Sequence, residues 1–230
     1  MKTPLAPLVE HTLLRPEATP DQVDRLCDEA VLHGFFGICV APLYVARAAR
    51  RLDGSAPVVV TVVGFPLGAS VPAVTAAEAH RAAADGAAEL DLVIPIGLAL
   101  AGDLDAVRRT VAEVREAIPD RVLKVILETG HFAPAALRAL ARAVLAAGPD
   151  LLKTSTGFGP RGASVEDVAL LAACGEGRVG VKASGGIRTL ALARALVDAG
   201  ATRLGTSSGP AIANEERVAA GLEPLTPIPV

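Results

Sequence analysis

Along its length the sequence repeats one phrase: an apolar β-rich run, a loop, an amphipathic helical stretch, and a glycine leading into the next apolar run. Gly34, Gly86, Gly148 and Gly200 each stand where a helical pattern stops, the place at which a left-handed glycine ends a helix. Helix starts are marked as well. Thr19-Pro20-Asp21-Gln22 offers an N-cap, a proline at the first helical position and a capping-box glutamine. Ser164-Val165-Glu166-Asp167 is a similar opening. The pattern predicts strands at 8–13, 36–40, 58–63, 89–94, 122–127, 150–154, 179–183 and 202–206. It predicts helices at 20–33, 43–51, 71–85, 103–117, 134–146, 164–173, 189–199 and 213–220. Strict alternation implies a parallel sheet covered by helices. Eight evenly spaced units in 230 residues predict an α/β fold, a closed (β/α)8 TIM barrel forming one domain over residues 1–230. A doubly wound open sheet is the alternative; even spacing and the lack of G-x-G-x-x-G after the first strand favour the barrel.

Composition narrows the function classes. A net charge of -3 offers no basic face for nucleic acid, and aromatics at 3% leave little on which to stack bases. The most apolar stretch, Leu90 to Ala101, is interrupted by Asp91, Pro95 and Gly97, and is shorter than the roughly 20 residues a bilayer span takes. Met1-Lys2-Thr3-Pro4 leads into a mixed segment without the apolar core of a signal peptide. Cys27, Cys39 and Cys174 are an odd, widely spaced set, which argues against a disulfide framework and a zinc site. The four histidines (His11, His33, His80, His131) have no metal-ligand spacing. The expectation is a cytoplasmic protein with no bound metal and no nucleic-acid or membrane partner.

Of 22 cationic residues only four are lysine: Lys2, Lys124, Lys153 and Lys182. Alternate residues of a strand point to opposite faces. Leu90, Leu92 and Ile94 share one face, while Glu89 and Asp91 lie on the other with Val93. Leu123, Val125 and Leu127 oppose Lys124, Ile126 and Glu128; Lys153 and Lys182 alternate with apolar or small neighbours in the same way. In a barrel the apolar stripe packs under helices, so three of the four lysines point inward. A single inward lysine is often a structural ion pair. Three beside Asp91 point to function, because burying an amine is costly unless it is paired or deprotonated. Arginine, which this chain uses freely, would serve for ion pairing but stays protonated and forms no imine. Attack on a carbonyl needs a neutral amine, whose pKa must fall from about 10.4. Lys153 and Lys182 are expected on adjacent strands, roughly 5 Å apart between backbones, where one cation depresses the pKa of the other.

Three glycine-rich turns follow the last three strands: Thr154-Ser155-Thr156-Gly157-Phe158-Gly159, Ser184-Gly185-Gly186-Ile187 and Gly205-Thr206-Ser207-Ser208-Gly209. Any one simply permits a tight turn. Together at one end of a barrel they suit a phosphate held by backbone N–H groups and a helix N-terminus.

The segments EHTLLRPEAT, FGICVAP, VTVVGFPLG, ELDLVIPIG, LKVILETG, LLKTSTGFGPRGAS, VGVKASGGIRT and RLGTSSG resemble the deoxyribose-phosphate aldolase family, LLKTSTGF and VGVKASGGIRT most specifically. The resemblance implies a class I aldolase of deoxyribose phosphate catabolism. It would cleave 2-deoxy-D-ribose 5-phosphate reversibly to acetaldehyde and D-glyceraldehyde 3-phosphate through a lysine imine, without a cofactor. It makes Lys153 the imine lysine, Lys182 the cation that lowers its pKa, and Asp91 the group that shuttles protons. It makes Gly157, Gly185, Gly186, Gly205, Ser207 and Ser208 the phosphate site, with Lys124, Thr156 and Thr12 in support. A sugar phosphate is then the small-molecule partner, and a homo-oligomer, dimer or tetramer, the expected assembly.

The sequence departs from the family pattern in three places. Glu10 precedes His11-Thr12 where aspartate is usual, Pro95 stands where asparagine is common, and the chain ends Pro227-Ile228-Pro229-Val230 without the tyrosine some members carry. Two other readings are another lysine aldolase, acting on a keto-acid or ketose phosphate, and a non-catalytic sugar-phosphate binder, which would need no depressed lysine pKa. Cys39 is expected in the barrel packing near the mouth, and Cys27 and Cys174 in the helix core.

Overall fold

The computed structural model describes residues 3–226 and 228. Eight parallel strands close on themselves in chain order: β1 Val9–Leu13, β2 Gly37–Val40, β3 Val58–Val63, β4 Glu89–Val93, β5 Val122–Ile126, β6 Leu151–Lys153, β7 Gly180–Ser184 and β8 Arg203–Thr206. The helices are α1 Pro20–His33, α2 Val45–Arg51, α3 Pro72–Ala84, α4 Ile96–Leu100, α5 Leu104–Ala117, α6 Pro134–Leu145, α7 Val165–Gly175, α8 Leu190–Asp198 and α9 Gly209–Ala219. The expected closed (β/α)8 barrel is therefore the observed one. Two differences stand out. The short α4 lies inside the apolar stretch that follows β4, and α9 begins at Gly209, four residues before the expected start.

Local chemistry explains the boundaries. Thr19 and Gln22 form the reciprocal capping box at the start of α1, and Gly34 closes that helix at φ 65°. Ser164 accepts from the amide of Asp167 at the start of α7. Val23, Leu26, Cys27 and Ala30 of α1, like Leu137, Leu140, Ala141 and Val144 of α6, form the buried stripe that packs on the barrel. Cys174 is partly buried and packs on the same core.

The register fixes which side chains enter the barrel. Glu10 pairs with Gly37, Gly37 with Val58, Val60 with Glu89, Asp91 with Lys124, Lys124 with Leu151, Lys153 with Lys182, and Lys182 with Arg203. Gly205 then pairs with Glu10 and completes the circuit. Residues paired in this way share one face of the sheet. One inner flank is apolar, with Cys39, Val60 and Val62 forming their own cluster apart from the main core. The other holds Glu10, Glu89, Asp91, Lys124, Lys153 and Lys182, all buried.

Gly37 shows how little space the inner wall leaves. A Cβ there would sit 2.4 Å from the carbonyl oxygen of Val58, a backbone atom that cannot move without disturbing β3. Gly37→Ala is expected to lower stability by about 1–3 kcal/mol, as overpacking does. Urea denaturation would check it, and an unchanged midpoint would contradict the tight register.

Candidate active site

The charged flank converges on Asp91, at the centre of β4. Its Oδ1 accepts from Lys124 Nζ at 2.9 Å, and its Oδ2 accepts from Lys153 Nζ at 2.7 Å and Lys182 Nζ at 2.5 Å. Lys124 also meets Glu89 at 2.7 Å and Glu10 at 3.3 Å, and Lys182 donates to the other oxygen of Glu10. Glu10, longer than the usual aspartate, thus reaches both lysines.

These contacts sort the three amines. Burial alone pushes each towards neutrality, and neighbouring carboxylates oppose it. In Lys124 and Lys182 the carboxylates win and the pKa rises; in Lys153 burial wins, helped by the Lys182 charge, and the pKa falls. Burial works against the Asp91 carboxylate, but three ammonium groups hold its pKa well below the usual value. The two shifts run in opposite directions, down for Lys153 and up for Lys182. Lys153 is also the lysine that lines the mouth cavity.

That cavity, about 350 Å³, is lined by Thr12, Leu13, Leu14, Arg15, Lys153, Thr156, Gly157, Phe158, Ser184, Gly185, Gly186, Ile187, Arg188, Gly205, Thr206 and Ser207. The three glycine-rich turns therefore meet over the Lys153 amine. Gly157, Gly185 and Gly186 have φ of 89°, 87° and 75°, a backbone region that disfavours any side chain. Among the described residues the amides of Gly157, Gly185, Gly186 and Ser207 donate to no protein group, which leaves them available to an anion. Ser208 stands just ahead of α9 and is not in the lining; its amide donates to Thr206 Oγ1 at 2.9 Å. Gly205 lies on the inner wall, where an added Cβ would sit 3.1 Å from Lys182 Cε. Thr12 donates to the Glu10 carbonyl at 2.9 Å.

Four further residues belong to the site. Arg15 and Arg188 line the cavity and bring positive charge to its rim. Phe158 lines it too and meets Phe65 edge-to-face, ring centroids 5.4 Å apart. Glu128 is 1% exposed and adopts φ 50°, an uncommon conformation for a residue with a Cβ. Its carboxylate accepts from the Thr156 amide at 3.2 Å and from the Thr156 hydroxyl, while that hydroxyl accepts from the Phe158 amide at 3.0 Å. Glu128 thereby anchors the turn that follows Lys153. The parity pattern placed it on the Lys124 face, but it lies past the end of β5, where alternation ceases.

The other singled-out residues take structural places. Cys39 is fully buried inside the barrel, and burial pushes its thiol up to about 11. Glu10, Cys39 and Asp91 lie close enough together to share an ion, but both carboxylates already face lysine ammonium groups. His11 is buried against Glu29 at 2.8 Å. Tyr44 donates to the Ala18 carbonyl at 2.6 Å. Pro95 precedes α4. The chain end singled out for its missing tyrosine lies outside the described residues, apart from Ile228. A larger hollow of about 890 Å³ between α1, α8 and α9 includes none of the inward lysines. Among the described residues no helix is long and apolar enough to cross a membrane.

Fold and site together define a barrel enzyme whose interior is organised around buried amines. The chain belongs to the DeoC/LacD family aldolases, whose profile matches residues 9–215, and is an aldolase, a carbon–carbon lyase. It is 54% identical over 208 residues to the deoxyribose-phosphate aldolase of Thermus thermophilus, covering 90% of this chain and 94% of that protein. It is 49% identical over 205 residues to that of Deinococcus radiodurans, covering 89% and 93%. Its fold superposes on the tetrameric deoxyribose phosphate aldolase of Aeropyrum pernix with a TM-score of 0.87 and 35% identity, covering 94% of this chain and 92% of that one.

If the Lys182 charge helps to keep Lys153 neutral, its removal must raise the Lys153 pKa. Lys182→Leu is expected to move the rising limb of the rate–pH profile to higher pH, with partial recovery in alkali. Each pH unit would correspond to about 1.4 kcal/mol. Lys182→Arg, which keeps the charge, should shift the limb less. An unmoved limb in Lys182→Leu would mean that the two amines are not electrostatically coupled.

Proposed function

We propose that the chain is a 2-deoxy-D-ribose-5-phosphate aldolase acting through an imine on Lys153, in a single (β/α)8 domain that spans the chain. The observation that carries this reading is the depressed Lys153 amine, facing the cavity beside two lysines that keep their protons. The comparisons supply the substrate, since relatives of about half-identical sequence carry the deoxyribose-phosphate aldolase name.

Lys153 Nζ adds to the C1 aldehyde to give a carbinolamine, which loses water to become a protonated imine. The C2–C3 bond breaks, because only the carbon next to the imine can leave with its electron pair delocalised onto nitrogen. The C3 hydroxyl gives up its proton and becomes the aldehyde of D-glyceraldehyde 3-phosphate. The remaining two-carbon enamine is protonated at C2, and water hydrolyses the imine to release acetaldehyde and the free amine. We assign the handling of these protons to the Asp91–Lys182 pair, whose charged atoms lie 2.5 Å apart. No cofactor enters the balance, because the cationic imine is the electron sink.

The substrate phosphate is assigned to the turns bearing Gly157, Gly185, Gly186, Gly205, Ser207 and Ser208, with Arg15 and Arg188 adding charge. Thr12, Thr156 and Lys124 support the site. The tetramer of the Aeropyrum pernix relative supports a homo-oligomer, dimer or tetramer, for this chain. The absence of any membrane-crossing helix among the described residues is in keeping with a cytoplasmic location.

Acetaldehyde with borohydride should add one ethyl group, mapped to Lys153, and Lys153→Arg should lose essentially all turnover. Modification of Lys124 or Lys182 instead would overturn the assignment. Gly185→Ala tests the phosphate site, since a side chain at φ 87° would strain the turn and sit 3.0 Å from Gly162 Cα. Its KM for the phosphorylated sugar should rise at least tenfold (about 1.4 kcal/mol), while turnover of unphosphorylated deoxyribose stays close to the parent's. Equal losses on both sugars would place the phosphate elsewhere.

A further inference from the structure

The charged flank does not end at the lysines. Below Asp91 on β4 lies Glu89, and across from it on β8 lies Arg203, whose guanidinium is 3.9 Å from both Glu10 and Glu89. Arg203 also stacks over the Phe36 ring, with Cζ 3.2 Å from the centroid. Ion pairs thus run from the N-terminal end of the barrel to its mouth: Arg203 to Glu89 and Glu10, these to Lys124 and Lys182, and these to Asp91 and Lys153.

The column holds three carboxylates, Glu10, Glu89 and Asp91, and four basic groups, Lys124, Lys153, Lys182 and Arg203. An uncompensated buried charge is expensive, so the column balances only when one basic group is neutral. A guanidinium does not give up its proton in proteins. Lys124 meets three carboxylates and Lys182 two. Lys153 meets one, shared with both other lysines. The surplus therefore falls on Lys153. Its other ionisable neighbour is the Cys39 thiol of β2, while β3 presents only the valines Val58, Val60 and Val62 to the interior.

We propose that Glu89 and Arg203, at the barrel end remote from the cavity, are positioning residues that set the protonation of Lys153 by fixing the charge count of the column. The proposal rests on Lys153 being the reacting amine. Removing the remote carboxylate leaves a surplus positive charge and makes the Lys153 proton easier to lose. Removing the remote guanidinium does the opposite. Removing both restores the balance.

The test is the rate of reductive ethylation by acetaldehyde and cyanoborohydride across pH, each variant taken relative to the parent, with the label mapped by mass spectrometry. Glu89→Gln should move the rising limb down by about one pH unit, the size of a charge interaction across roughly 10 Å at an effective dielectric of about 20. Arg203→Met should move it up by a similar amount. The double variant should return to within a few tenths of a unit of the parent. A purely structural role would not give opposite shifts that cancel. Glu89→Gln is nearly isosteric and decides the matter alone if Arg203→Met does not fold. Label on Lys153 with an unmoved limb, shifts of the same sign, or no cancellation would overturn the proposal while leaving the imine assignment intact. Label on another lysine would overturn both.

Discussion

One carboxylate organises this molecule's interior. Asp91 is fully buried and accepts from three lysine amines, so its position on β4 determines where each ammonium can sit. A buried ion pair seldom adds stability over a well-packed apolar alternative, because desolvating both charges offsets their attraction. Breaking one is a different matter, since the partner is left buried and uncompensated. The column is therefore best understood as a constraint: once present, every member needs the others. Charge thus gathers on one inner flank, beside an apolar cluster of Cys39, Val60 and Val62 on the other.

Sharing is also what differentiates chemically identical side chains. Lys124 and Lys182 are held charged by the carboxylates around them, whereas Lys153 shares its one carboxylate with two competing cations. No special group is needed to lower an amine's pKa; burial with an unequal allotment of partners suffices. The turns above it have the complementary character. Their unpaired amides and the rim arginines Arg15 and Arg188 suit a dianion. The site thus sets free amides and arginines at the rim above an interior in which three carboxylates are shared among four basic groups.

Much of this was legible in the sequence, for reasons that also mark the limits. Period-two alternation carried the inward placement of Lys124, Lys153 and Lys182, because parity survives small errors in strand ends. The capping box at Thr19 and the glycine at 34 bounded α1 to the residue. The start of α9 was missed because Ser208-Gly209 read as the end of a glycine-rich turn, although Pro210 in the first helical turn is itself a start signal. Glu128 was read with the Lys124 face, but its bond to the Thr156 turn was not legible, because it lies past the end of β5 and its φ of 50° redirects the chain. Arg203 went unremarked, and the division of carboxylates among lysines was not legible at all. Which carboxylate meets which amine depends on the stagger between strands around the closed barrel, a three-dimensional quantity that no local pattern carries.

The lowered pKa of Lys153 has a consequence for stability whose sign can be worked out. In the unfolded chain this lysine titrates near its ordinary value; in the folded chain its pKa is lower. Between the two values the unfolded state binds the additional proton, so stability rises with pH across that window. Below the depressed value the penalty is constant and complete. Lys124 and Lys182 have the opposite sign: their raised pKa values contribute stability that is fully present below the unfolded value and lost only as pH rises through the folded one. Asp91, depressed, contributes above its unfolded value and loses that contribution as pH falls. Through the window in which Lys153 deprotonates, the other three contributions are steady, so among these four groups the pH dependence comes from Lys153. The amine at the foot of the cavity is thus the group whose burial as a cation the fold sustains at a cost.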